Sequence, residues 1–137
     1  MNTNTFHNLS YGVYIISSLD GSRSTGCVAN SVMQITSSPA TIAVSINHDN
    51  FTNSCIETSG TFAISILSET SDPGLIGRFG FQSGRNTNKF ETFKKCDRGI
   101  NDIYYITEGT NAYISVKVIK TEDLGSHTMF IGEITDM

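Results

Sequence analysis

The sequence predicts a mainly β domain: an antiparallel barrel carrying two or three short helices. Three observations predict it. Runs rich in β-branched and aromatic residues recur between Gly, Asn, Asp and Ser punctuation, at the spacing of short strands and turns. Glycine is plentiful, 12 of 137 residues, against 2 prolines and no tryptophan, a mix that suits a compact, turn-rich chain and not a disordered one. Only two segments carry the signals that start a helix. The length is that of one domain, residues 1–137, with no internal repeat or linker.

Residues 11–18 (YGVYIISS) read as the first strand, ended by an Asp20-Gly21 turn. A second strand runs through residues 25–33. Pro39 then punctuates the chain before residues 40–47 (ATIAVSIN). There Ala40, Ile42, Val44 and Ile46 alternate with Thr41, Ala43, Ser45 and Asn47, which predicts a half-buried strand with one polar-to-small face. Asn50 caps a short helix that points Phe51 and Ile56 inward and stops at Gly60. Residues 61–68 return to strand. Asp72 and Pro73 open a second short helix. Residues 82–95 form a polar loop, and residues 101–107 and 112–123 form strands, the latter with Ala112, Ile114, Val116 and Val118 on one face. A Gly125-Ser126 turn leads into the last strand. The total is six or seven strands.

The formal charge of −4, with no basic block, argues against a nucleic acid partner. The N-terminus lacks the charged start and apolar run of a signal peptide, and no stretch is long enough for a membrane span. Cys27, Cys55 and Cys96 make an odd count without a C-x-x-C pair, so neither a disulfide framework nor a structural zinc site is expected. His7, His48 and His127 are too scattered for a metal site. A reduced, cytoplasmic protein is the expectation.

No P-loop, dinucleotide-binding glycine fingerprint, nucleophile elbow or zinc-protease helix occurs. Catalysis by this chain therefore requires a cofactor held by backbone and small polar groups. The stretch from Ser24 to Asn47 is dense in such groups. A flavin needs them: its phosphate takes hydroxyls, N–H groups and a cation, while its ring takes N–H donors at the edge and small or apolar neighbours on the faces.

Five segments in order, YGVYIISSLDG, TGCVANSVMQITSSPATIAVSINHDNFTNSCI, SGTFAISIL, FGFQSGRNTNKF and LGSHTMFIGEI, give a resemblance that covers about the whole chain. It resembles the flavin reductase-like family of FMN-binding split barrels, and within it the flavoredoxin and high-molecular-weight rubredoxin branch. The resemblance implies a six-stranded antiparallel split barrel of Greek-key type, a homodimer, and FMN near the subunit interface. It implies that Thr25, Gly26, Cys27 and Val28 form a first wall along the ring. Asn30 and Ser31 would bond the ring edge or ribityl chain. Ser45, Ile46 and Asn47 would form a second wall, and Asn50 and Thr52 would reach the phosphate at the start of the first helix. Arg85 and Lys89 would supply positive charge, Phe79 an aromatic contact, and His127 a group near the nicotinamide.

Each residue has a plainer reading. Cys27 alone is a small buried hydrophobe, Asn30 and Ser31 a bulge or turn, Lys89 a solvated loop lysine, and His127 the start of a strand. The implied activity is hydride transfer from NAD(P)H to FMN, with electrons passed on to a free flavin or a redox protein such as a rubredoxin. The alternative is an FMN electron-transfer protein reduced by a separate reductase. A third reading, from another class, is a non-redox binding barrel. Family members continue past GEITD with a segment containing a proline and tyrosines, so a missing C-terminal segment is expected. No four-cysteine rubredoxin module follows here.

Overall fold

The computed structural model describes residues 1–91 and 93–137. It is mainly β and antiparallel throughout. Its strands are β1 (Tyr14–Asp20), β2 (Arg23–Ala29), β3 (Val32–Ser37), β4 (Ala40–Asn47), β5 (Thr61–Leu67), β6 (Cys96–Arg98), β7 (Tyr104–Ile106), β8 (Thr110–Asp123) and β9 (His127–Asp136). Two α-helices, α1 (Phe51–Ser59) and α2 (Pro73–Gly80), and an N-terminal 3-10 helix (Thr3–Asn8) complete the structure. Seven strands form one sheet in the order β2-β1-β5-β8-β9-β4-β3, and β6 and β7 form a separate ribbon.

The two ends of that order explain the shape. β2 and β3 are the edge strands of the sheet, yet only Asn30 and Ser31 separate them in the chain. The three Cα steps from Ala29 to Val32 span at most about 11 Å. The sheet must therefore curl until its edges meet, which makes a barrel split along the β2–β3 seam. β8 assists the curl: its first half pairs with β5 and its second half with β9, with register shifts between Ser115 and Val116 and between Val118 and Lys120.

Here the expected elements need correction. The single strand over residues 25–33 is two strands, broken at Asn30-Ser31, because its two halves pair at opposite edges. The main sheet has seven strands, within the six or seven read from the residues and one more than the resemblance implied, and β6 was not anticipated. β1 starts at Tyr14, three residues later than read. Residues 101–107 contain only a three-residue strand.

The barrel interior holds Ile16, Ile42, Val44, Ile46, Phe62, Ile64, Val116 and Phe130, with Ile56 of α1 packed among them. A second cluster of Ile15, Leu75, Phe79, Phe90 and Ile106 covers the outside of β1 with α2 and the loop after it. β1 thus sends Ile16 inward and Ile15 outward, and both are fully buried. β4 also departs from its expected half-buried pattern: Thr41 and Ala43 on its second face are buried, and on that face only Ser45 and Asn47 reach solvent.

Both helices obey their local signals. The Asn50 side chain accepts the Thr52 N–H at 3.0 Å, and Gly60 closes α1 at φ +69, a conformation that costs a residue with a Cβ. The Asp72 side chain caps Gly74 at 2.8 Å, with Pro73 first in α2. No described helix is long and apolar enough to cross a membrane.

Candidate functional site at the barrel seam

Where the seam opens, five pieces of chain surround one cleft of about 140 Å³. The end of β2 supplies Cys27, Val28 and Ala29, and the link to β3 supplies Asn30 and Ser31. Opposite lie Ser45, Ile46 and Asn47 at the end of β4, then Asn50 at the start of α1, and His127 at the start of β9. A neighbouring apolar cleft, with Val32, Met33, Ala43, Val44 and Met129, shares Asn30, Ser31 and Ser45 with the first and extends it along β3.

Backbone bonds hold these pieces in place. The Ser45 N–H donates to the Ser31 carbonyl at 3.0 Å, which joins the two walls. Asn47 and His127 are cross-strand partners of the β4–β9 ladder. The His48 N–H donates to the Ser126 carbonyl at 2.9 Å, tying the loop before α1 to the turn before His127. Ser126 Oγ lies 2.8 Å from His127 Nδ1, so one imidazole nitrogen is engaged and Nε2 is the one left for a ligand.

Asn53, absent from the sequence reading, aligns α1 with this frame. It is buried, donates from Nδ2 to the Ile46 carbonyl at 3.0 Å, and accepts from Thr128 Oγ1 at 3.4 Å. Its signal was available in principle: an amide on the inward face of an amphipathic helix needs buried partners. Ala29 was also missed, and Ser126 was read only as a turn residue. Phe51, expected to point inward with Ile56, is only half-buried and lies under the Arg85 guanidinium, while Ile56 enters the core as expected.

Several expected residues stand behind the wall instead of on it. Thr25 and Gly26 are buried and do not line the cleft. The Thr25 hydroxyl is fully buried with no hydrogen-bond partner among the described residues. Thr52 is buried. Burial pushes the Cys27 thiol up to about 11, against smaller opposing effects of the Thr52 and Asn50 side chains and the Lys89 charge. Cys27 is therefore an inert thiol packed in the wall. Phe79 belongs to the outer core, with its ring 5.0 Å from Phe90 and 5.8 Å from Phe93.

The two cations part company. Lys89 is buried at 3 % exposure, and its ammonium donates to the Gly26 carbonyl at 2.6 Å and the Phe79 carbonyl at 2.8 Å. Burial holds its pKa below the ordinary lysine value. It binds β2 to the end of α2 and is corrected here from a phosphate cation to a structural one. Arg85 is exposed, and its guanidinium stacks over the Phe51 ring at 5.4 Å, beside the start of α1.

The donor set fits a flavin mononucleotide. Amides and hydroxyls rim the cleft, small apolar side chains floor it, and a helix N-terminus, an arginine and an orphaned threonine hydroxyl gather at one end, as a phosphate requires. A curled antiparallel sheet with such a cleft at its open seam defines a split-barrel protein of the flavin-binding class. The chain belongs to the flavin reductase like domain family, whose model matches residues 6–137. A protein of Moorella thermoacetica named high molecular weight rubredoxin is 44% identical over 99% of this chain and 59% of its own length. The present chain thus spans little more than half of that relative. A ferric-chelate reductase (NAD(P)H) of Archaeoglobus fulgidus is 38% identical over 99% of this chain and 80% of its own. Among solved structures, an FMN-binding protein of Thermus thermophilus superposes with a TM-score of 0.84 at 21% identity, over 96% of this chain and 72% of that one, a likeness of fold.

Proposed function

We propose that the chain is an FMN-dependent oxidoreductase of flavin reductase type, which takes a hydride from NAD(P)H and passes electrons to a free flavin or a redox protein. The observation that carries this reading is the convergence of β2, β3, β4, α1 and His127 on one polar-rimmed cleft at the seam. FMN, when bound, supplies the two-electron redox chemistry, and the residues supply binding and orientation.

Asn30, Ser31, Ser45 and Asn47 hydrogen-bond the ring edge and ribityl chain. Cys27, Val28, Ala29 and Ile46 pack against the ring. Asn50 and Arg85 face the phosphate, with Thr25 beneath. His127, oriented by Ser126, fronts the side from which a nicotinamide approaches. The name of the Archaeoglobus relative supports NAD(P)H as donor.

The cleft, about 140 Å³, is well below the ~300 Å³ at which pockets begin to enclose a ligand. It covers one side of a planar group. A second copy of the chain completes the site, and the exposed edge strand β3, with Met33 63 % and Ile35 42 % exposed, offers it an apolar surface. The compartment is the cytoplasm, consistent with three unpaired cysteines.

Anaerobic titration of the FMN-loaded protein with NADH and then NADPH, followed in the visible flavin band, tests the reading. Bleaching at a stoichiometric amount of either is expected. A second reading is favoured by the name of the Moorella relative: an FMN electron carrier that serves a rubredoxin-like partner and is reduced by another enzyme. A band that persists under both nucleotides but bleaches with dithionite selects it. Protein that stays colourless after incubation with FMN removes both in favour of a non-redox barrel.

A further inference from the structure

His48 follows β4 directly, and its ring turns away from the cleft toward the β8–β9 turn. We propose that His48, through its contact with Asp123, is a positioning residue that holds His127 over the cleft. The inference rests on the reading of His127 as the group that meets the nicotinamide, and deepens it.

Two strands end at this side of the cleft. Asn47 is the last residue of β4 and His127 the first of β9, and the two form the final pair of their ladder. The end of a ladder opens most easily, so the groups beyond the last pair decide how firmly it is held. His48 is the first residue beyond it.

That residue supplies two ties. Its N–H donates to the Ser126 carbonyl at 2.9 Å, and its Nε2 lies 3.4 Å from Asp123 Oδ1 at the end of β8. The same carboxylate oxygen accepts the Gly125 N–H at 2.9 Å, which fixes the turn from inside. The Leu124 N–H donates to the His127 carbonyl at 2.8 Å and closes the hairpin. Asp123 is thus the hub of residues 123–127, and His48 fastens that hub to the loop before α1. Ser126 belongs to the same turn, and its Oγ lies 2.8 Å from His127 Nδ1. The direction of the His127 ring therefore follows the position of the turn.

Neither His48 nor Asp123 lines the cleft. Their side chains are 37 % and 78 % exposed, and a contact in such surroundings adds little to global stability. Its effect is local. The flavin walls carry ties of their own: the Ser45 N–H bonds the Ser31 carbonyl, Asn47 Oδ1 accepts the Asp49 N–H at 2.8 Å, and Asn50 Oδ1 accepts the Thr52 N–H at 3.0 Å. Loss of the His48–Asp123 contact frees the His127 ring and leaves those walls in place.

NMR signals of the His127 ring in FMN-loaded protein, assigned with the help of His7→Gln, test the proposal in the natural chain, His48→Ala, Asp123→Ala and His48→Gln. His48→Ala and Asp123→Ala should shift and broaden the His127 signals. His48→Gln, whose amide also donates to Asp123, should restore them. FMN affinity should stay within about twofold in all three variants, because the contact is exposed and remote from the flavin walls. Flavin bleaching by the preferred nucleotide should slow about tenfold in His48→Ala and Asp123→Ala and recover in His48→Gln. Unchanged His127 signals in His48→Ala overturn the proposal, as does a loss of FMN affinity that matches the loss of rate. A natural chain whose bound FMN stays oxidised under both nucleotides overturns the nicotinamide reading, and with it the proposed role, even where the His127 signals respond.

Discussion

The two ends of the loop after α2 meet opposite surroundings. At its start Arg85 lies in solvent against an aromatic ring, with its charge available to a ligand. At its end Lys89, four residues on, is buried and spends its donors on two backbone carbonyls. Both are cations in one polar stretch, and nothing local tells them apart. The difference is made by Phe79, Phe90 and Phe93, whose packing draws the end of the loop into the outer core. Arg78 reinforces the pull by donating to the carbonyls of Lys89 and Glu91. The lesson is that a charge serves function only where no backbone acceptor claims it first.

Substitutions along this loop break or sharpen the contrast. Phe79→Ala should have the largest effect, a loss of about 3–5 kcal/mol in chemical denaturation, since it empties the cluster that draws the loop end inward. Lys89→Met should cost about 2 kcal/mol, because it leaves the Gly26 and Phe79 carbonyls buried without donors. An unchanged denaturation midpoint would show that the ammonium is not structural.

Cys27 reports on the same burial through pH. Its thiol titrates at 9.0 in the unfolded chain and at about 11 in the folded one. The folded state therefore disfavours the thiolate. This contribution is fully present below pH 9.0 and is lost as pH rises toward about 11, an effect of about 3 kcal/mol by linkage. Stability measured from pH 8 to 11 should fall less steeply in Cys27→Ala. Thr25→Val removes a buried hydroxyl that has no partner, so the apoprotein should gain about 1 kcal/mol while FMN affinity declines. Smallest is Arg85→Ala, whose thermal unfolding should stay within about 0.5 kcal/mol of the natural chain even as FMN binding weakens. A large loss of stability there would erase the distinction between the two cations.

Much of the cleft was legible in the residues. The dense run of hydroxyls and amides from Ser24 to Asn47 marked a place where side chains serve a ligand and not a core, and eight residues of that run, with Asn50 and His127, do line one cleft. What failed was depth. Thr25, Gly26 and Thr52 lie behind the wall, and Phe79 and Lys89 lie in the outer core. Strand alternation says which residues share a face, but not whether a second layer of chain covers that face. β1 is covered on both sides in this way, and Thr41 and Ala43 on the second face of β4 are buried as well. Their second faces, with Ile15, Thr41 and Ala43, gave no local sign of it.

By itself the sequence determined the β class, the two helices and their caps, and the strand at Ala40–Asn47, because turn chemistry, capping and side-chain period act within a few residues. Only the tertiary structure decided that the run through Asn30-Ser31 breaks into the two edges of a curled sheet. Only the tertiary structure decided which loop cation stays in water. Both outcomes depend on pairing and burial between segments far apart in the chain, where the energy of a residue is set by neighbours that its own stretch of sequence does not contain.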